Sequence, residues 1–277
     1  MDRFLGFVSA LVIVSIFSIS FSRCTKSNPS KVDTVHVTVV DSVFIDNDTD
    51  VNLSRGLVVY YPFNNSLADS SGNHHNGTAI GNLNFTNDKG NNANGAVSLD
   101  GNGSYIILKD SGSLSPGAFT LAAQFYADTA VWESLCSKIN FSNANSIAWG
   151  VTLYGGGGSP YPNSLGFAVR GPDVPCGQFD PVSLSDLVYS MVDIAPKRWY
   201  QVTCIFDNGV EKVYLNGVLR NAITRTFTTA KQCTDASLQI GAWYEAAPFY
   251  FHGKIDEFRF YNRALNEEEI AQLSQGF

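Results

Sequence analysis

Aromatic side chains cluster in two loop-like stretches of this 277-residue chain, at residues 154–161 and 243–251. The first stretch encloses a run of four glycines, and the second contains two alanines and a proline. An aromatic ring offers a flat apolar face with a polar tip, the kind of surface on which a sugar ring stacks. The predicted ligand-binding residues are Tyr154, Tyr161, Trp243, Tyr244 and Tyr250.

Core packing is the alternative for aromatic residues in strand-like runs. Trp132, Trp149 and Trp199 occur in such runs and are predicted to be core residues. Part of the stretch 243–251 can be core as well, so ligand binding and core packing both stay open for that stretch.

Catalysis of glycosidic-bond cleavage needs two carboxylates across the bond, which a strand supplies at alternate positions of one face. The sequence contains no Glu-x-Asp-x-x-Glu run, and Asp256 and Glu257 are adjacent, so a regular strand points them to opposite faces. The other candidate acids are isolated: Glu133, Glu211 and Glu245. A Ser/His/Asp triad needs a placed histidine, and His252 is predicted to be a surface or packing residue. We expect no catalytic residues and no enzyme activity.

Short alternating runs between turn residues predict the strands that must position these side chains. Residues 200–207 and 210–215 alternate with a period of two around Asn208-Gly209, a pair that suits the positive φ angles of a hairpin turn. A β-hairpin is therefore predicted here.

The stretch 254–261 also alternates, with a slip at Asp256-Glu257, and is predicted to be a strand with one covered face. The opening strand, residues 56–63, is its expected neighbour. Asn266 is predicted to cap a short helix that begins with three glutamates, acids placed where they favour a helix N-terminus.

The closing strand and its helix carry a family resemblance. Residues 253–265, followed by Glu268-Glu269-Ile270, resemble the closing signature of laminin-G-like, concanavalin A-like jelly-roll domains. Three other segments match that family in the expected order: residues 60–73, 94–101 and 199–217. The resemblance implies an all-β fold over residues 56–277, a two-sheet antiparallel β-sandwich with a short C-terminal helical turn. Function does not follow from it, because one fold carries many different sites.

The same resemblance implies a calcium site. Members of this family often hold calcium at positions that match Asp69 and Asp256, with Asn73 nearby. Calcium takes carboxylate, amide and carbonyl oxygens in flexible geometry, and pairing of the opening and closing strands would bring the two aspartates together. The alternative is that Asp69 makes an Asx-turn and Asp256 caps the end of a strand.

The N-terminal residues 1–24 are predicted to be an export signal. Arg3 precedes an apolar run that ends at Phe21. Cys24 resembles the lipidated cysteine of a bacterial lipoprotein, although Arg23 departs from the small residue that this pattern prefers. Lipid anchoring at Cys24 is therefore predicted, with ordinary secretion or an uncleaved anchor as alternatives.

Residues 25–55, a polar segment with a Thr/Val/Asp run, are predicted to be a flexible tether that lifts the domain off a membrane surface. The formal net charge of -7 and the isoelectric point near 5.0 argue against a nucleic-acid partner, because no basic stripe exists to displace counterions from phosphate.

The remaining cysteines, Cys136, Cys176, Cys204 and Cys233, form an even set in an exported chain, which favours disulfides or buried free thiols over a zinc site. Four cysteines allow three connectivities. The pair Cys204 with Cys233 is preferred, because the strand from Trp199 and the approach to Leu238 could lie side by side.

These observations predict an exported, surface-anchored binding module, with calcium as its expected cofactor. A glycan is the first ligand to consider. An adhesion domain for an extracellular protein is the alternative, and a divergent glycoside hydrolase is the third.

Overall fold

A computed structural model describes residues 51–109, 112–129, 131–140, 146–154, 161–173, 175–176, 178, 187–234, 236–243 and 249–277. All of them belong to one compact unit. The export signal with Cys24, most of the tether, the glycine run 155–158 and Tyr244 lie outside the described residues. No helix in the described ranges is long and apolar enough to cross a membrane.

The predicted all-β sandwich is confirmed. Its elements are β1 (Leu57–Tyr61), β2 (Thr78–Ile80), β3 (Asn84–Thr86), β4 (Ala96–Asp100), β5 (Tyr105–Leu108), β6 (Phe119–Ala127), β7 (Glu133–Asn140), β8 (Ser146–Tyr154), β9 (Ser164–Val169), β10 (Val188–Tyr189), β11 (Trp199–Asp207), β12 (Val210–Leu215), β13 (Val218–Thr224), β14 (Leu238–Ile240), β15 (His252–Tyr261) and α1 (Glu267–Leu273).

The strands form two antiparallel sheets. An eight-stranded sheet runs β13-β12-β11-β6-β15-β4-β3, with β1 also paired to β15, and a seven-stranded sheet runs β10-β9-β8-β7-β14-β5-β2. The predicted pairing of opening and closing strands is confirmed by the register Tyr60↔Arg259. The predicted hairpin is β11-β12, and Asn208 and Gly209 at its turn have φ angles of 44° and 81°.

Alternate residues of each strand face the space between the sheets. Phe119 of β6 and Phe260 of β15 contact Trp149 of β8 in this main core, and Phe206 of β11 contacts Phe119. The intervening residues of each strand therefore lie on the outer faces of the two sheets.

Helix α1 covers part of the outer face of the eight-stranded sheet. Its Ile270 and Leu273 pack with Ala122, Ile205 and Tyr261. The predicted N-cap is confirmed, because the Asn266 side chain accepts the Glu269 amide in a capping box.

A bulge interrupts β15 where the alternation of the sequence slips. Glu257 has a φ of 51°, and the register with β6 shifts between Asp256 and Arg259. The expectation that Asp256 and Glu257 point to opposite faces is wrong. Ile255 and Phe258 both belong to the main core, so the extra residue leaves both acids outside the core-facing set.

The disulfide joins Cys176 to Cys233. The predicted pair Cys204 with Cys233 is wrong, because Cys204 lies on β11 of one sheet whereas Cys233 precedes β14 of the other. Cys204 and Cys136 are buried free thiols in the main core, one from each sheet. Burial raises the pKa of both thiols.

Candidate functional site

A row of aromatic side chains lies on the outer face of the seven-stranded sheet. Trp132 directly precedes β7, and its ring centroid lies 5.1 Å from that of Tyr154 at the end of β8 and 5.2 Å from that of Phe249. Tyr189 of β10 lies 5.5 Å from Tyr154 and 5.2 Å from Tyr161. We call these five residues, from Phe249 through Trp132, Tyr154 and Tyr189 to Tyr161, the aromatic ladder.

The two tyrosines in the middle of the ladder are buried, whereas the rings on either side of them, Trp132 and Tyr161, reach solvent. Tyr154 and Tyr189 are each 4% exposed, but Trp132 is 45% exposed and Tyr161 is 40% exposed. The buried tyrosines thus form a fixed base from which two aromatic rings project.

Gly166 of β9 allows the middle of the ladder to lie close to the sheet. A Cβ atom at this position would lie 2.7 Å from the Tyr154 ring and 2.6 Å from Leu187. Tyr154, Leu187 and Tyr189 pack with Ala168 as a small apolar cluster, so residues with little or no side chain on β9 make room for the rings.

A buried carboxylate holds the segment that carries Trp132. Glu133 is 1% exposed and accepts hydrogen bonds from the Thr129 hydroxyl at 2.5 Å and from the His252 amide at 3.2 Å. Burial raises the pKa of Glu133, and these two hydrogen bonds oppose the effect only in part. The side chain therefore ties Thr129 and the start of β7 to the start of β15.

The structure brings two of the predicted ligand-binding residues together, Tyr154 and Tyr161, through Tyr189. Tyr250 lies elsewhere and stacks on Tyr105 with a centroid distance of 6.1 Å. Trp243 packs against Gly150 of β8, where a Cβ atom would lie 2.8 Å from its ring.

Trp132 is an exposed site residue that sequence reasoning missed, as it also missed the buried Tyr189. The prediction that Trp132 is a core residue is wrong, whereas Trp149 is 1% exposed as predicted and Trp199 is half-buried. Trp132 lies just before β7 and beside the exposed Val131. This position is the signal that would have identified it, because the alternation of β7 begins one residue later.

Asp69 closes the loop after β1. Its carboxylate accepts the amides of Tyr60, Ser71 and His75, each at 2.9 Å, and the Ser71 hydroxyl at 2.7 Å. Burial favours the neutral acid, but the hydrogen bonds from Tyr60, Ser71 and His75 outweigh it and hold the pKa of Asp69 below its usual value. The side-chain nitrogen of Asn73, Nδ2, donates to the Leu57 and Val58 carbonyls, both at 3.0 Å.

Asp256 has a different environment. It is 5% exposed, and its Oδ1 accepts the Glu257 amide at 2.7 Å. Burial, followed by the negative charges of Glu257 and Asp88, raises the pKa of Asp256 to about 7. Glu257 itself forms an ion pair with Arg259 and accepts the Tyr60 hydroxyl at 2.9 Å.

The predicted calcium ligands are thus engaged in different ways. Within the described residues, no group of three or more His, Cys, Asp or Glu side chains is placed to hold a metal ion. The side chains of Asp69 and Asn73 already hold the loop through hydrogen bonds to protein groups. This arrangement fits a cation poorly. Asp256 has the charge and the burial that a cation would stabilise.

A family model for the concanavalin A-like lectin/glucanases superfamily, Laminin_G_3, matches residues 100–271. The chain belongs to this family. No curated protein sequence matches the chain.

Solved structures with this fold include one domain of an arabinanase and several toxin binding domains. Domain 4 of AbnA, an extracellular arabinanase from Geobacillus stearothermophilus solved with arabinotriose, is 23% identical, with 79% of this chain and 98% of that chain covered and a TM-score of 0.60. The binding domain of Paraclostridial Mosquitocidal Protein 1 is 17% identical, with coverages of 80% and 52% and a TM-score of 0.59.

The binding domain of botulinum neurotoxin DC, solved with rat synaptotagmin II, is 15% identical, with coverages of 80% and 52% and a TM-score of 0.58. This chain thus spans about half the length of the toxin domains. At identities below 25% these likenesses establish the shared fold alone.

Proposed function

We propose that this chain is an exported, non-catalytic module that binds carbohydrate on the aromatic ladder. The observation that carries the proposal is the projection of Trp132 and Tyr161, 45% and 40% exposed, from a base of buried aromatic rings. A fixed ring loses little conformational freedom when a ligand stacks on it, so this arrangement favours binding.

Sugar is the ligand class that such a surface fits best. A pyranose or furanose ring presents an apolar face of C–H groups to an aromatic ring, and its hydroxyls stay in contact with water or polar side chains. The complex of the arabinanase domain with arabinotriose supports this ligand class on the same fold.

Placement of the module at the cell surface is part of the proposal. Export by residues 1–24 and lipidation of Cys24 would leave the tether 25–55 between the membrane and the domain. A single acyl chain gives marginal, reversible binding to a membrane, so stable anchoring would require more than one chain on this cysteine.

Calcium would assist binding through Asp256 and not through the full set of three predicted ligands. Asp69 accepts hydrogen bonds from several protein donors and Asn73 donates its own. Asp256 accepts a hydrogen bond from the Glu257 amide, and its charge has less compensation than that of Asp69. A cation there would stabilise the bulge of β15 and the neighbouring loop that contains Asp88.

A protein ligand is the second candidate. Val131, which is 50% exposed, precedes Trp132 in the sequence, and Met191, which is 53% exposed, follows two residues after Tyr189. These two side chains would extend the ladder into an apolar patch. The complex of a neurotoxin binding domain with synaptotagmin II supports this function on the same fold.

A glycan array probed with the purified protein tests the proposal. Binding to a defined oligosaccharide class that is lost in Trp132→Ala but kept in Val131→Ala would support a sugar site on the ladder. Absence of binding to every glycan, together with capture by synaptotagmin-like or other cell-surface proteins, would overturn it in favour of adhesion. Release of new reducing ends from any bound polysaccharide would instead establish a hydrolase.

A further inference from the structure

The two exposed rings of the aromatic ladder lie at separate points of the seven-stranded sheet. Trp132 directly precedes β7, and Tyr161 lies three residues before the first residue of β9. The rings of Tyr154 and Tyr189 lie between them along the ladder, in three centroid steps of 5.1, 5.5 and 5.2 Å. A ligand that follows the ladder from one exposed ring to the other therefore crosses two buried rings.

The strand register sets the direction and the width of this path. Strands β7, β8, β9 and β10 are neighbours in that order, and the pairs Tyr154↔Ser164 and Tyr189↔Gly166 lie on the last three of them. Neighbouring strands lie about 4.8 Å apart, so the backbone of Trp132 is about 14 Å from that of Tyr189 across the sheet. The ladder thus runs across the strands and not along one of them.

Backbone hydrogen bonds to the sheet hold the surroundings of both exposed rings. The Tyr161 carbonyl accepts the Ser164 amide at 3.3 Å and the Ser164 hydroxyl at 2.6 Å. Trp132 stacks on Phe249 with an interplanar angle of 26°, and the Phe249 carbonyl accepts the Ser134 amide at 3.2 Å. A ligand that contacts both rings therefore finds them already placed, which lowers the entropy cost of binding.

A single sugar residue covers only one step of the path. A pyranose or furanose ring is similar in size to one aromatic ring, so it stacks on one exposed ring at a time. A chain of sugar residues can reach both rings, because the first contact holds the rest of the chain near the second ring at a high effective concentration. The five ladder residues carry no formal charge, and the neighbouring carboxylate of Glu133 is buried and held by protein donors, which favours a neutral chain.

We propose that the aromatic ladder binds the interior of a neutral, linear glycan, with sugar residues stacked on Trp132 and Tyr161 at the same time. This inference rests on the proposed function and adds to it the length and the shape of the ligand. Both rings reach solvent, so a chain can continue past each of them. A monosaccharide or a short chain end would use one ring and leave the other empty.

Calorimetric titration of the full-length protein with arabino-, malto- and cello-oligosaccharides of two to six residues tests the proposal. In the series that binds, we expect affinity to rise with chain length until the chain spans both rings. One ring contributes about fivefold in affinity, so Trp132→Ala and Tyr161→Ala should each weaken binding of the hexasaccharide about fivefold. For the disaccharide each variant should lose at most about twofold, because two alternative ring contacts become one.

Matched variants separate ring contacts from effects on folding. Trp132→Phe and Tyr161→Phe keep a ring at each position and should retain most of the affinity for the hexasaccharide. Trp199→Ala removes a half-buried indole from the other sheet and should leave the affinity for every chain length unchanged.

The outcomes distinguish this inference from the proposed function. A disaccharide that binds as tightly as the hexasaccharide, or a loss confined to one of the two alanine variants, would overturn the two-ring contact and leave a sugar site on a single ring of the ladder. Absence of binding in all three series would contradict the proposed function and this inference together.

Discussion

The ring centroids of Trp132 and Tyr154 lie 5.1 Å apart. The two residues lie immediately beyond Glu133↔Leu153, the first residue pair between strands β7 and β8. The sheet therefore fixes the position of an exposed indole through a buried tyrosine. This relationship depends on the hydrogen bonds of Glu133, which hold the preceding segment against β15.

Replacement of Glu133 tests that dependence. Glu133→Ala removes the acceptor of the Thr129 hydroxyl and the His252 amide. We expect the free energy of unfolding to fall by about 1 to 2 kcal/mol, because two half-buried donors lose their partner. Chemical denaturation measures it. Glu133→Gln keeps one carbonyl acceptor and should lose less; equal losses in the two variants would contradict the role assigned to the carboxylate.

The raised pKa of Asp256 predicts how stability depends on pH. The group is ordinarily half-protonated near pH 3.8 and in the folded chain near pH 7. Between these values the folded state holds a proton that the unfolded state releases, so stability falls as the pH rises from about 4 to 7.

Asp256→Asn replaces the titrating carboxyl group with an amide that stays neutral. Thermal unfolding in EDTA should then show a flatter pH profile and a higher midpoint than the wild type above pH 7. The exposed Asp173→Asn serves as the control and should leave the slope unchanged. Parallel profiles for the wild type and Asp256→Asn would mean that Asp256 is ionised throughout this range.

Calcium should raise the thermal midpoint of the wild type at neutral pH, since a ligand that binds only the folded state stabilises it with increasing concentration. Removal by EDTA should reverse the shift, and Asp256→Asn should abolish it. Asp69→Asn should lower the midpoint equally with and without calcium, because its hydrogen bonds serve the loop. If Asp69→Asn also abolishes the calcium shift, then Asp69 is a calcium ligand, as the full predicted site requires. If calcium does not shift the midpoint of the wild type, then the proposed role of calcium is wrong.

The Cys176–Cys233 disulfide spans 57 residues. In the chain-entropy model, closing a loop of that length stabilises the folded state by about 4 kcal/mol. Cys176→Ser and reduction by dithiothreitol should therefore lower the thermal midpoint by similar amounts and should not add. Cys204→Ala should keep the full sensitivity to reductant; if it instead becomes insensitive, Cys204 is the oxidised residue.

Local signals in the sequence predicted most of the fold. The hairpin β11-β12 followed from the Asn208-Gly209 turn and the helix from Asn266. The slip at Asp256-Glu257 marked the position of the bulge in β15, although a bulge was not predicted there. Each of these features is determined by neighbouring residues, so periodicity and turn chemistry reveal it.

Features that depend on tertiary placement were not predictable in the same way. The disulfide partner of Cys233 depends on which sheet each strand joins, and the exposure of Trp132 depends on where β7 begins. The strands β2 and β3 were not predicted, because three residues are too few to show a period of two. The candidate site followed in part. Tyr154 and Tyr161 were found, and Phe249 lies in the aromatic stretch 243–251 that was predicted to bind ligand, but Trp132 and Tyr189 were not found.

The affinity of Trp132→Ala for the glycan that binds the wild type most tightly tests the central claim most directly. Ring stacking contributes on the order of 1 kcal/mol, so we predict affinity about fivefold weaker for Trp132→Ala, near wild-type affinity for Trp132→Phe, and no change for Val131→Ala. Unchanged affinity in Trp132→Ala, with its fold intact by circular dichroism, would contradict the claim that the aromatic ladder is the sugar-binding surface.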